Sequence, residues 1–340
     1  MRPAAWCALA AAGVLLAAAQ LGGEAGAQAA LSKLARSPGF LSCVTALEFG
    51  VRADAAEVYV PRAAAAARDE DAAEPQSESV YVPSAPENAA PVLSAPDKAA
   101  TLTINNDTDY DVDVAACLAS DPHIRAEGDG PQVLVFHTHA SESYTPDAAF
   151  PYTPTETERT TDTRYNVVRV GDELCTALEK RGIETLHIRS LFDTPTYAGS
   201  YDRSLAAVEQ ALEENPSVKV VIDLHRDSIL TDEGEAYKTS CTVDGAETAQ
   251  LMFVVGTDAG GLYHPDWRDN LNFVSTLQYA LNRAYPSLMR PVNLRTQRFD
   301  QHASPGSLLV EVGSSGNTLP EALSAVRLFA DVLADEMTGM

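Results

Sequence analysis

Basic residues are scarce in this 340-residue chain: 24 Lys and Arg stand against 48 Asp and Glu, a formal charge of -24. A surface that tracks nucleic-acid phosphates needs clustered Lys and Arg, so nucleic acid is excluded as a partner class. Cysteine is also sparse. Five are present, widely scattered and with no C-x-x-C pair, which argues against a closed zinc-thiolate site. Cys43, Cys117, Cys175 and Cys241 are expected to be small buried hydrophobes. No G-x-S-x-G occurs, which removes the support for a serine nucleophile, and the glycine-rich loop at 256–261 lacks the lysine of a phosphate-binding P-loop.

What is present begins with Arg2 and an uncharged Ala/Leu-rich run to about Leu21, followed by small-residue sites at Ala25-Gly26-Ala27 and Ala27-Gln28-Ala29. Residues 1–28 therefore form an export signal or a single membrane anchor, and either one places the remainder outside the cytoplasm. Residues 29–100 form a variable stretch dominated, from about Ala53, by Ala, Pro, Glu, Asp and Ser; prolines and like charges keep such a segment from building a core, so it is expected to be a tether.

The folded domain is expected over 101–340. Strand-like alternation is found at 102–105 and 110–114, and apolar runs at 133–136, 185–188, 218–224, 251–255, 292–295 and 308–310. Between them lie amphipathic stretches at 167–181, closed by Gly182, at 205–214, where Ser200 or Asp202 can cap, at 270–285 and at 320–337. Strands alternating with helices over short connections imply an α/β fold with a mostly parallel, doubly wound sheet and helices on both faces. Ligands bind beyond the carboxyl ends of the strands in such sheets.

Chemistry-bearing residues gather at those ends. The 133–136 strand runs into His137-Thr138-His139-Ala140-Ser141-Glu142, the 218–224 strand into His225-Arg226-Asp227, and the last strand into Glu311. Two imidazoles and a carboxylate form the ligand set of a catalytic zinc with one open position. The i, i+2 spacing sends His137 and His139 to the same side of an extended chain, so the choice between them stays open. Glu142 and His225 complete the set; Glu311 is the candidate base, and Arg226 and Asp227 orient ligands. His123, His187, His264 and His302 have no companion at ligand spacing and are expected in surface or hydrogen-bonding roles.

With those residues in hand, the chain resembles the stage II sporulation protein P family, zinc-dependent cell-wall amidases related to the N-acetylmuramoyl-L-alanine amidases. The resemblance rests on His137-Thr138-His139-Ala140-Ser141-Glu142-Ser143-Tyr144, Asn166-Val167-Val168-Arg169-Val170-Gly171, Ile222-Asp223-Leu224-His225-Arg226-Asp227, Val254-Val255-Gly256-Thr257, His264-Pro265-Asp266-Trp267-Arg268-Asp269-Asn270-Leu271 and Val310-Glu311-Val312-Gly313. It implies an amidase-like fold, Zn2+ held by His137, with His139 as the competing assignment, together with Glu142 and His225, and Glu311 as catalytic base. It further implies hydrolysis of the amide between muramic acid and L-alanine in peptidoglycan during spore engulfment, with possible cleavage of peptide cross-links, beside a lytic transglycosylase and membrane partners. Two competing readings are a metallocarboxypeptidase-like peptidase, since His139-Ala140-Ser141-Glu142 is also an H-x-x-E, and a non-catalytic cell-wall scaffold.

Overall fold

A computed structural model describes residues 98–339, apart from 123, 156–157 and 232–234. The expected leader and nearly all of the expected tether, together with Cys43 and His123, lie outside the described residues. Among the described residues, no helix is long and apolar enough to cross a membrane.

Nine strands are described. Seven of them, β1 (Ile104–Asn106), β2 (Val133–Phe136), β3 (Thr185–His187), β4 (Val220–Asp227), β7 (Leu251–Val255), β8 (Val292–Leu294) and β9 (Ser307–Ser314), form one sheet in the order β1-β8-β7-β9-β4-β2-β3. All neighbours run parallel except β7 and β9. That one reversal divides the sheet into two parallel blocks whose carboxyl ends point in opposite directions. The remaining two, β5 (Ser240–Val243) and β6 (Ala246–Ala249), form a separate hairpin. Its turn falls at Asp244-Gly245, with positive φ at both residues, the geometry that matches strand twist.

Helices cover both faces, as the alternation required. The even-numbered side chains of β4, with Val133 and Val135 of β2, join the main core against α2 (Val167–Lys180), α4 (Trp267–Ala284) and α5 (Leu319–Thr338). The opposite face is smaller: Leu134, Phe136 and Val221 pack on Val208 and Ala211 of α3 (Ser200–Glu214). Burying the five branched residues of β4 and β2 on the main face stabilises the fold by roughly 1.5–3 kcal/mol each.

Local signals close several helix ends. Asn166 accepts from Val168 N–H to start α2, and Gly182, at φ +82°, ends it with Ile183 N–H donating to Leu178 O at 3.0 Å. Thr318 and Glu321 form a capping box at α5. Two expectations are corrected. The stretch 110–114 is not a strand, because the Asp113 carboxylate accepts from Ala116 N–H and starts α1 (Val114–Ala119) instead. Neither Ser200 nor Asp202 caps α3; Gly199, in the left-handed region, takes that position without a side-chain bond.

Candidate metal centre

The site lies where β4 and β9 run side by side with the turn that follows β2. His225 and Glu311 sit within their strands rather than past the ends, and they are register partners in a parallel pair, so both project to the α3 face. Beyond Phe136 the chain leaves the sheet and turns through 138–141, with Glu142 N–H donating to His139 O at 3.0 Å.

That turn separates the two histidines. His137 keeps the alternation of Val133 and Val135 and enters the main-core face beneath α2, where a Cβ on Gly171 would stand 2.7 Å from its Nε2. Its Nδ1 lies 2.8 Å from Leu224 O and its Nε2 2.9 Å from His187 Nε2. Both ring nitrogens are thus engaged away from the other candidate ligands. His139, carried around by the turn, reaches the opposite side. The same-side expectation for i and i+2 fails because it holds only while the chain stays extended.

His139, Glu142 and His225 are brought together. Each offers a ligand atom within 4.8 Å of the others, and all three are buried. His139 Nδ1 is 3.7 Å from Glu142 Oε1, and His225 Nδ1 is 3.4 Å from Glu142 Oε2. His225 Nε2 stands 2.8 Å from Asp223 Oδ1, a carboxylate-imidazole contact that fixes the ring. Asp223 is in turn gripped by Thr138, whose N–H and hydroxyl donate to its two oxygens at 2.9 and 2.7 Å. His139 is walled by Tyr197, stacked at 4.4 Å between ring centroids with its hydroxyl 3.3 Å from Nδ1. Its Nε2 is buried with no hydrogen-bond partner.

The carboxylate of Glu142 is held from two sides. Arg226 N–H donates to Oε2 at 3.2 Å, while the Arg226 side chain donates to Ser143 O and Glu158 O at 3.0 Å each. Arg159 reaches Glu142 Oε1 at 3.5 Å and Asp193 at 3.0 Å. Arg226 therefore organises the loop around Glu142, whereas the neighbouring Asp227 pairs with Arg290 at 2.6 Å.

Burial alone would raise the Glu142 carboxyl, but His225 and then Arg226 and Arg159 override it and hold the group ionised, well below its usual range. Burial opposes charge on His225 as well; Asp223 and Glu142 reverse that and raise it well above an ordinary histidine. His139 goes the other way, pushed by burial down to about 3 despite Glu142, so it is a neutral imidazole with a lone pair to offer. His137 is also pushed to about 3, by burial and then by His187.

Asp223, Tyr197, Arg159 and Asp193 were not assigned roles from sequence. Asp223 had a signal: a carboxylate two residues before a histidine in an apolar strand must share its face. The other three stand on loops without one. His187 has the hydrogen-bonding role expected of it, but His264 departs from expectation: it is 1% exposed, and neither of its ring nitrogens has a hydrogen-bond partner. The described cysteines, Cys117, Cys175 and Cys241, are all free, the first two buried.

Among solved structures, the chain is similar to the N-acetylmuramoyl-L-alanine amidase AmiC2 of Nostoc punctiforme, at 13% identity over 62% of this chain and 97% of that one, with a TM-score of 0.33. It is also similar to the apo form of the amidase Ami1 from Mycobacterium abscessus, at 14% identity over 61% and 96%, with a TM-score of 0.37. A curated relative, the stage II sporulation protein P of Bacillus subtilis (strain 168), is 30% identical over 226 residues, which is 63% of this chain and 53% of the relative. The chain thus spans about half the length of that protein. The family model for stage II sporulation protein P (SpoIIP) matches residues 54–334, most of the chain, and the chain belongs to that family.

Proposed function

We propose that this protein is a zinc-dependent peptidoglycan hydrolase of sporulation that cleaves the amide between N-acetylmuramic acid and L-alanine. The observation that carries the reading is the convergence of His139, Glu142 and His225 within 4.8 Å. Family membership supports the wall as substrate.

The residues fit zinc. Two imidazoles and a carboxylate leave a fourth position open, the pattern of catalytic rather than structural zinc. The buried His139 Nε2 lacks a hydrogen-bond partner, a condition that costs about 1–3 kcal/mol unless something binds there. Of the two histidines left open by sequence, His139 is the proposed ligand, and His137 belongs to the core. When bound, zinc acidifies water to a pKa of about 7 and polarises a carbonyl.

The remaining chemistry belongs to the protein. Asp223 orients His225, and Arg226 and Arg159 keep Glu142 ionised. Glu311, beside His225 in register and only partly buried, takes the proton of the attacking water and returns it to the departing alanine nitrogen. The apolar run that follows Arg2 supports a site of action outside the cytoplasm, with the protein anchored or released after cleavage. Work beside a lytic transglycosylase and membrane engulfment proteins follows from the family resemblance.

Digestion of purified muropeptides tests the reading. The wild type is expected to release intact stem peptides beginning at L-alanine, with activity lost on chelation and restored by zinc. Glu311→Gln is expected to lower turnover by about 10²–10⁴-fold with zinc still bound. Release of single C-terminal residues would instead identify a carboxypeptidase, and near-wild-type turnover in the variant would remove Glu311 from the reaction.

A further inference from the structure

On the α3 face, four oxygen-bearing side chains from distant parts of the chain stand in a line. Thr138 Oγ1 is 2.7 Å from Asp223 Oδ2, Ser204 Oγ is 2.9 Å from Thr138 Oγ1, and Asp300 Oδ2 is 2.7 Å from Ser204 Oγ. Thr138 and Ser204 are fully buried, and Asp223 and Asp300 are 3% and 5% exposed. The line starts in the loop before the 3-10 turn Gln301–Ala303, crosses α3 and the turn after β2, and ends at the carboxylate that touches His225.

Counting hydrogens in this line leads to a definite protonation state. Three contacts need three hydrogens, and the two hydroxyls supply one each. The Thr138 hydroxyl hydrogen is committed to Asp223, because Thr138 N–H grips the same carboxylate. The single Ser204 hydrogen cannot serve both Thr138 and Asp300, and Tyr201 O at 3.1 Å competes for it as well. One contact therefore lacks a hydrogen unless a carboxyl carries it.

Asp223 is the wrong place for that hydrogen, because both of its oxygens already accept from Thr138, one from the N–H and one from the hydroxyl. Around Asp300 like charge faces it from Asp223 of β4 and Asp202 of α3, while Arg298 of its own loop acts on it with opposite charge. Burial pushes the Asp300 carboxyl up to about 8, against the pull of the Ser204 hydroxyl.

We propose that Asp300 is a positioning residue held as a neutral carboxylic acid, donating its O–H to Ser204. Ser204 then donates to Thr138, and Thr138 to Asp223, so that every hydrogen runs one way and ends on the carboxylate that orients His225. Bonds aligned in this manner polarise one another and stiffen the last member. The link to zinc affinity rests on the metal-centre reading above, while the protonation of Asp300 does not.

The experiment compares the full chain with Asp300→Asn and Asp300→Ala. Infrared difference spectra of wild type against Asp300→Asn at pH 7 are expected to contain the carbonyl stretch of a protonated carboxyl; its absence overturns the proposal. Thermal melts give an independent check. An acid whose folded pKa is raised binds its proton in the native state and loses it on unfolding, so stability falls as pH rises between 3.8 and about 8. The melting temperature of Asp300→Asn relative to wild type is therefore expected to climb across that range, and a flat difference overturns the protonated state.

The positioning role is read with zinc alone, by competition against a chelator. Asp300→Ala is expected to weaken zinc about 10-fold, as outer partners of metal ligands do, with Asp300→Asn restoring it through its amide donor. Unchanged affinity in Asp300→Ala overturns the role. If the wild type itself binds no zinc, the metal-centre reading fails and takes the positioning role with it, while the infrared band still decides the protonation.

Discussion

Two histidines separated by one residue, His137 and His139, have opposite fates. The first continues the strand alternation into the main core and ends with both ring nitrogens engaged, by Leu224 O and His187. The second is swung by a turn to the other side of the sheet, where Tyr197 stacks on it and Nε2 is left without a hydrogen-bond partner. One imidazole is consumed by the fold; the other has coordinating capacity left over. A buried polar side chain that is satisfied is structural, and one that is unsatisfied beside like-minded groups is a functional candidate.

The sharpest way to break that comparison is to remove each ring in turn. His139→Ala and His225→Ala are expected to abolish zinc binding and stem-peptide release, measured by metal analysis and muropeptide digestion; His139→Ala leaves the apo melting temperature near wild type, whereas His225→Ala also lowers it, because Asp223 and Glu142 lose the imidazole they pair with. His137→Ala is expected to do the reverse. It leaves a cavity and strips His187 Nε2 of its partner, at a cost of about 2–5 kcal/mol, with zinc still bound after refolding. If His137→Ala loses zinc at unchanged stability, the assignment of the two rings is inverted.

A smaller effect separates the sides without touching either ring. Gly171→Ala places a Cβ 2.7 Å from both His137 Nε2 and His187 Nε2, and is expected to cost about 1–3 kcal/mol in denaturant unfolding with no change in zinc affinity. Asp223→Asn should act on the other side, weakening zinc about 10–100-fold by chelator competition.

Acid sharpens the comparison further. His137 is held neutral down to about pH 3 from an ordinary 6.5, so the unfolded chain takes up a proton that the native state refuses. Stability from this group is present above 6.5 and is lost as pH falls toward 3. The melting temperature of His137→Gln should therefore decline less steeply with acidification than that of wild type. The smallest change is expected at Arg181→Ala. Its pairs with Asp331 and Asp335 are partly exposed, and equilibrium unfolding should shift by less than about 1 kcal/mol.

Much of this protein was legible in the sequence. Periodicity located four of the five helices and the seven sheet strands to within a few residues, because burial on two faces imposes continuous apolar runs and burial of one helix face imposes a 3.6-residue repeat. The failures were local competitions, as at Asp113, where a side-chain cap won over a strand-like alternation. Tertiary structure alone decided the reversal of β7 against β9, since hydrogen bonds between strands leave no mark on either strand's composition. It alone decided which histidine meets Glu142 and His225, because a two-residue spacing has meaning only in extended chain and the chain turns there. The residue types of the site were set by sequence. Their meeting, and the line of hydroxyls from Asp300 to Asp223, depended on strands and loops up to about 160 residues apart being folded onto one face, which no local pattern encodes.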